Sequence, residues 1–244
     1  MDNKNTKVLL YSGGMDSFII DKLWKPDLKL YIDLKGIYNR TEIEHLPEDV
    51  EIAEFDLSAC EMKDNYILPL RNLYLLMLAC NAAILKYGVN NLDEINLCYG
   101  AIKGDNIYDK QLDFMEKAEV LLSNMLQPHY SIPNGIKVKI EKKYKAMSKS
   151  DLMKAYRDLG GDIKTIMYDS YSCVSGQEEV CLQCKPCIRK LASLFVGFGE
   201  EEFRKLNLDY KRLKEGLDKY DFSYNRGGEE EDIKLLYNFI KENI

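Results

Sequence analysis

Lys7-Val8-Leu9-Leu10-Tyr11-Ser12-Gly13-Gly14-Met15-Asp16-Ser17 is the stretch that decides the fold. Its apolar run is short and ends in Ser-Gly-Gly, which predicts a buried strand closed by a turn. Met15 to Trp24 then reads as a helix, stopped near Pro26. A first strand that enters a first helix through glycines is the ligand corner of an open parallel sheet. Gly13 and Gly14 let the backbone come close to a phosphate. The helix N-terminus adds free N–H groups and a partial positive charge. Ser12 and Ser17 bring hydroxyls, and Tyr11 and Met15 complete a seven-residue candidate nucleotide loop. Asp16 does not favour a bare anion, so its expected work is to hold Mg²⁺ or to orient the loop. A Walker loop is excluded, because the nearest stretch, Gly161 to Thr165, lacks the second glycine before its lysine.

Working outward, strands are expected at Leu28 to Ile32, Glu51 to Phe55, Ile95 to Tyr99 and Ile136 to Ile140. Helices are expected at Asn72 to Tyr87, Tyr108 to Met125 and Ser148 to Leu159, the last with Ser148 as N-cap and Gly160-Gly161 as its stop. Thr41 to Asp49 leaves room for about two helical turns. Alternation of this kind predicts an α/β, Rossmann-like parallel sheet with helices on both faces. From Lys185 onward the chain reads as helical, with a loop at Arg226-Gly227-Gly228. The expected division is a nucleotide-binding α/β domain over 1–165 and a zinc-binding, helical region over 166–244.

Cys173, Cys181, Cys184 and Cys187 are separated by seven, two and two residues. Two overlapping Cys-x-x-Cys pairs and one earlier cysteine can wrap a tetrahedral ion with four thiolates. Zinc is the expectation, since four ligands on one short loop suit a closed structural site. An iron–sulfur cluster shares the Cys-x-x-Cys-x-x-Cys run and is the alternative. Cys60, Cys80 and Cys98 sit among apolar residues and read as core packing.

The 244 residues carry a net charge of −6, with 46% hydrophobic and 30% charged residues. That is a globular composition, and the acidic balance disfavours a general nucleic-acid binder. The longest apolar run, Leu73 to Cys80, is too short to span a bilayer. The polar N-terminus shows no signal peptide, and a cytoplasmic protein is expected.

The Ser12 to Ser17 loop resembles the pyrophosphate-binding loop of the ATP-pyrophosphatase superfamily. That resemblance implies cleavage of ATP between its α- and β-phosphates, leaving a substrate adenylate. Together with the cysteine set, the loop makes the chain similar to the 7-cyano-7-deazaguanine synthase family over about residues 7 to 195. Pro69-Leu70-Arg71-Asn72 resembles the family's Pro-Gly-Arg-Asn. Lys149 resembles a family lysine, and Arg189 a family arginine two residues past the last cysteine ligand.

The resemblance implies conversion of 7-carboxy-7-deazaguanine to its nitrile with ATP, Mg²⁺ and ammonia, a zinc site, and a homodimer in which the C-terminal helices are candidates for the contact. It makes Asp16, Arg71 and Lys149 the candidate catalytic residues. Asp105 and Asp109 are candidates to read the N–H edge of the small deazapurine.

The chain departs from the family in four places. Leu70 replaces a glycine, and the helix after the second strand is short. The stretch Gly100 to Asp105 with Asp109-Lys110 replaces a Glu-Thr-Asp substrate segment, and the tail from Glu200 to Ile244 is additional. Two other functions stay open: adenylation of a tRNA base, and a nucleotide-binding module of a larger system.

Overall fold

The computed structural model describes residues 5–36, 42–63, 68–175, 180–222 and 228–244. Thr41, at the start of the expected short helix, and Arg226-Gly227 of the expected loop lie outside the described residues. Five strands form one sheet: β1 (Asn5–Leu10), β2 (Leu28–Asp33), β3 (Glu51–Glu54), β4 (Glu94–Cys98) and β5 (Lys137–Ile140). Their order is β3-β2-β1-β4-β5 and every pairing is parallel. Val8 lies beside Leu28 on one side and Leu97 on the other, so central β1 has apolar neighbours on both flanks. The order reverses between β1 and β4, which is the switch point where open α/β sheets take their ligands. The expected α/β, Rossmann-like sheet is what the chain builds.

Residues of one parity cover one face: Val8 and Leu10, Leu28, Leu30 and Ile32, Ile95 and Leu97, Val138 and Ile140. Against them pack α2 (Arg71–Tyr87), through Leu76, Ala79, Cys80 and Ala83, and α3 (Leu112–Met125), through Met115, Ala118 and Leu122. The i, i+3, i+4, i+7 spacing of the α2 set puts all four on one stripe. Gly88, at φ 83°, ends α2 in the left-handed region that suits glycine. α3 starts later than the apolar pattern suggests. Tyr108–Lys110 forms a separate 3₁₀ turn, and Gln111 is extended between the two. Cys80 and Cys98 are buried as core packing requires, whereas Cys60 is exposed, because it ends a three-residue 3₁₀ turn, Ser58–Cys60, that buries none of its residues.

The described chain forms two compact units. One comprises residues 1–13, 24–101 and 106–145; the other comprises 14–23, 102–105 and 146–244. The sequence suggests a single boundary at 165/166, whereas the second unit collects three separate stretches. It contains α1 (Met15–Trp24) up to Leu23, α4 (Lys149–Asp158), α5 (Ile163–Asp169), α6 (Lys185–Phe198), α7 (Glu200–Arg204), α8 (Tyr210–Asp218) and α9 (Glu229–Glu242). An aromatic ladder runs through it, from Phe18 of α1 to Tyr156 of α4 and on to Phe198 of α6, with ring centroids 6.0 and 6.3 Å apart. Phe239 of α9 packs on Phe195 of α6 at 4.8 Å. Among the described residues, no helix is long and apolar enough to cross a membrane.

Candidate functional site

The glycine loop follows β1 directly. Gly13 has φ 73°, a conformation that L side chains avoid, and an added Cβ would also press on Leu46 Cδ2 at 3.4 Å. The Gly14 carbonyl accepts the Phe18 N–H at 3.0 Å and the Ser17 hydroxyl at 2.9 Å, which closes the first turn of α1. Tyr11 and Met15 bury their side chains, so only their backbone is left for a ligand. Ser12 is exposed.

Asp16, in the first turn of α1, meets Lys149, the first residue of α4. The Lys149 ammonium donates to both carboxylate oxygens, at 2.6 and 2.7 Å. The two side chains are 21% and 11% exposed, so this pair is far less screened than a surface bridge. A capping box sets the start of α4: the Asp151 N–H donates to Ser148 Oγ, and the Ser148 N–H donates back to Asp151. Asp105 is buried, and its carboxylate accepts the Ile102 N–H at 3.2 Å. That bond closes a turn held to Met147 by the Lys103 N–H at 2.9 Å.

In the sheet unit, Arg71 opens α2 and is exposed. Burial pushes the Glu42 carboxyl up, opposed by a 2.8 Å hydrogen bond from the Tyr31 hydroxyl and by the Arg71 charge. Burial and the Glu42 charge together raise the Tyr31 hydroxyl. The Arg71 charge thus opposes the rise of both the Glu42 carboxyl and the Tyr31 hydroxyl of β2. Asp109 lies in the 3₁₀ turn after β4, where its carbonyl accepts the Tyr99 hydroxyl at 2.9 Å. Among the described residues its buried Oδ1 has no hydrogen-bond partner, an arrangement that costs about 1–3 kcal/mol unless something else satisfies it.

The four cysteines predicted as a metal set converge, with their sulfurs all within 4.8 Å of one another. Zn–S bonds of about 2.3 Å in a tetrahedron give sulfur–sulfur edges near 3.8 Å. Cys181 and Cys187 stand 3.8 Å apart and Cys184 and Cys187 3.2 Å, so this donor set fits zinc after a small expansion. The Cys184 N–H already points at Cys181 Sγ, at 3.2 Å, as in a preformed thiolate cradle. Contact between Cys184 and Cys187 drives Cys184 down to about 5 and Cys187 far up.

Lys190 follows on α6 and is buried. Its ammonium donates to the carbonyls of Met167 and Ser170, at 2.7 and 2.6 Å, and so ties the end of α5 to α6. Burial pushes it down to about 8. Nothing in the sequence singles out Glu42 or Lys190, because neither carries a local signal that separates it from an ordinary surface charge.

A Rossmann-like parallel sheet with a glycine loop after its first strand defines an α/β protein, and its four converging thiols could hold a metal ion. Residues 29–196 match the family described as queuosine biosynthesis protein QueC, and the chain belongs to that family. It is 26% identical over 239 residues to the 7-cyano-7-deazaguanine synthase of Marinobacter nauticus, covering 84% of this chain and 97% of that one. It is 25% identical over 217 residues to 7-cyano-7-deazaguanine synthase 1 of Colwellia psychrerythraea, covering 75% of this chain and 91% of the relative. To the 7-cyano-7-deazaguanine synthase of Psychromonas ingrahamii it is 27% identical over 218 residues, covering 75% and 90%.

Proposed function

We propose that this protein is an ATP-dependent ligase that turns 7-carboxy-7-deazaguanine into 7-cyano-7-deazaguanine with ammonia. The observation that carries this reading is membership of the QueC family across residues 29–196. The ring carboxylate is a poor electrophile, so its oxygen must first become a leaving group. That oxygen attacks the α-phosphate of ATP and pyrophosphate departs. Ammonia then displaces AMP to give the amide. The amide oxygen is adenylated by a second ATP, and elimination of AMP with loss of two protons leaves the nitrile.

The chain's own groups supply what these steps need. The Gly13–Gly14 backbone and the opening of α1 offer N–H donors to phosphate. Lys149, preset by its bonds to Asp16, offers a cation for charge that develops at the phosphates. Arg71 is the candidate cation of the sheet unit, and Asp109 Oδ1, without a partner among the described residues, is an acceptor for a ring N–H. Mg²⁺ would neutralise phosphate charge, with Asp16 as its candidate ligand. Zinc on Cys173, Cys181, Cys184 and Cys187 would supply folding energy to its segment.

The test is incubation with 7-carboxy-7-deazaguanine, ATP, Mg²⁺ and ammonium, read by mass spectrometry. Nitrile, AMP and pyrophosphate are expected, and Lys149→Ala should depress turnover of the acid and of the amide alike. If both compounds come back unchanged while ATP still binds, the substrate assignment fails and a nucleotide-binding module is left. If only ADP and phosphate form, the adenylation mechanism fails.

A further inference from the structure

Three helices of the second unit carry charged residues that bear on the nucleotide. α1 carries Asp16, α4 carries Lys149, and α6 carries Arg189 one turn from its start. The aromatic ladder of Phe18, Tyr156 and Phe198 packs these helices together. Gly197 fixes their spacing further, because an added Cβ there would lie 2.2 Å from Met153 Cβ of α4. Arg189 does not point freely. Its Nε and Nη2 donate to the two oxygens of Glu229, at 2.7 and 2.5 Å. The pair is nearly buried, at 15% and 6% exposure. Burial opposes the Arg189 charge, but the Glu229 carboxylate outweighs it, with further support from Tyr220 and Asp16.

Glu229 opens α9, in the tail that is additional to the family pattern. The same first turn docks a second time, since Asp232, raised by burial, is hydrogen-bonded to Ser150 beside Lys149. A fork fixed along one edge keeps its Nη1 hydrogens and one Nη2 hydrogen outside the Glu229 contact. Two-point orientation of a guanidinium suits bidentate binding of phosphate oxygens.

We propose that Arg189 is a second phosphate-binding cation of the Asp16–Lys149 site, and that Glu229 is the positioning residue that aims it. The inference rests on the ATP-dependent reading above and adds a role for the tail. A purely structural ion pair would leave nucleotide affinity alone. A tail carboxylate that merely occupied Arg189 in place of phosphate would weaken affinity, and its removal would improve it.

The experiment uses the full-length, zinc-loaded protein and α,β-methylene-ATP in equilibrium dialysis, beside KM and kcat for ATP in turnover. Three proteins are compared with the parent: Arg189→Lys, Glu229→Gln, and the double variant Arg189→Met with Glu229→Met. The double variant replaces the buried pair with apolar groups of similar size, so that it folds without leaving a lone buried charge. Expected are a Kd raised about tenfold or more in the double variant, with its Tm kept, since charge-assisted hydrogen bonds are the stronger class. Arg189→Lys should lose most of that affinity, and Glu229→Gln a smaller part of it. KM for the deazapurine should hardly move. Unchanged nucleotide affinity in the double variant overturns the proposal, and so does tighter binding in Glu229→Gln. Absence of binding by the parent protein itself would instead remove the ATP-dependent reading, and this inference with it.

Discussion

Leu70 sits at φ 61° and ψ 16°, immediately before α2, with 64% of its surface exposed. In this left-handed region a Cβ crowds its own carbonyl, at about 1–2 kcal/mol. The family stretch that this segment resembles has glycine at the position, and the backbone still follows the path that glycine prefers. Leu70→Gly should therefore stabilise the protein. The relief of strain exceeds the roughly 0.4–1 kcal/mol of added chain entropy in the unfolded state. A rise in Tm of about 1–4 °C is expected in thermal unfolding. A fall would mean that the exposed leucine packs on a partner. Asp16 poses a different question at the same scale, because its two oxygens both accept from Lys149. An asparagine in its place would keep one of those acceptors and lose the charge. Asp16→Asn should thus cut AMP formation on the order of 100-fold, with a much smaller change in ATP affinity. Equal losses in both would assign Asp16 to ground-state binding alone.

Among the elements, close packing overrides propensity at Gly197. Alanine in a helix interior is ordinarily better than glycine by about 1 kcal/mol. Here the new Cβ would meet Met153 Cβ at 2.2 Å, inside any real contact. Overpacking of that kind costs about 1–3 kcal/mol. Gly197→Ala should lower Tm, by roughly 2–12 °C, and the opposite sign would show that α4 and α6 can slide apart. The elements themselves are largely legible in the sequence. Strands β1 to β5 fall within a residue or two of where alternation and glycine turns put them, because β1 and β2 are short, mostly buried apolar runs and β5 alternates exposed lysines with a buried valine and isoleucine. Two features are not legible. α5 has only seven residues and follows the Gly160-Gly161 stop closely, so its periodicity is too brief to register. Its one signal is Asp162, whose carboxylate accepts the Thr165 N–H at 2.8 Å as an N-cap. The apolar pattern places the start of α3 too early, because Tyr108 and Leu112 continue that pattern while Gln111 adopts an extended backbone.

For the whole molecule, what sequence reveals is local and what it hides is distant. The cysteine set is legible from spacing alone, since its four sulfurs lie within 15 residues of one another, Cys173 to Cys187 inclusive. The Asp16–Lys149 pair spans 133 positions and no periodicity predicts it. Glu229 stands in a run of four acids, Glu229 to Asp232, and only the fold selects it for Arg189. The tail and the cysteine segment also meet at Gly216 of α8, where an added Cβ would come within 2.6 Å of Gln183 Cα. Gln183 donates to Glu215 across the same contact, at 2.9 Å. The cysteine segment is therefore held by the tail on one side, and loss of a metal from its four thiols should be felt by both. Purified protein should carry one zinc per chain and be colourless; brown protein with labile sulfide would decide for an iron–sulfur cluster. Cys184→Ala should release the zinc and lower Tm, because binding energy at such a site is folding energy. Limited proteolysis after chelation should cut first between Tyr171 and Arg189. Acidity should act in the same direction, and the thiols show why. Cys184 is held down by its contact with Cys187, whereas Cys181 is raised chiefly by burial and Cys187 by its contact with Cys184. Zinc bound by four thiolates would have to displace the protons of those raised thiols. Uptake at pH 7 should thus release protons into a weakly buffered solution, and affinity should fall as pH falls. A metal affinity that does not change between pH 8 and pH 6 would show that the four thiols are not its ligands.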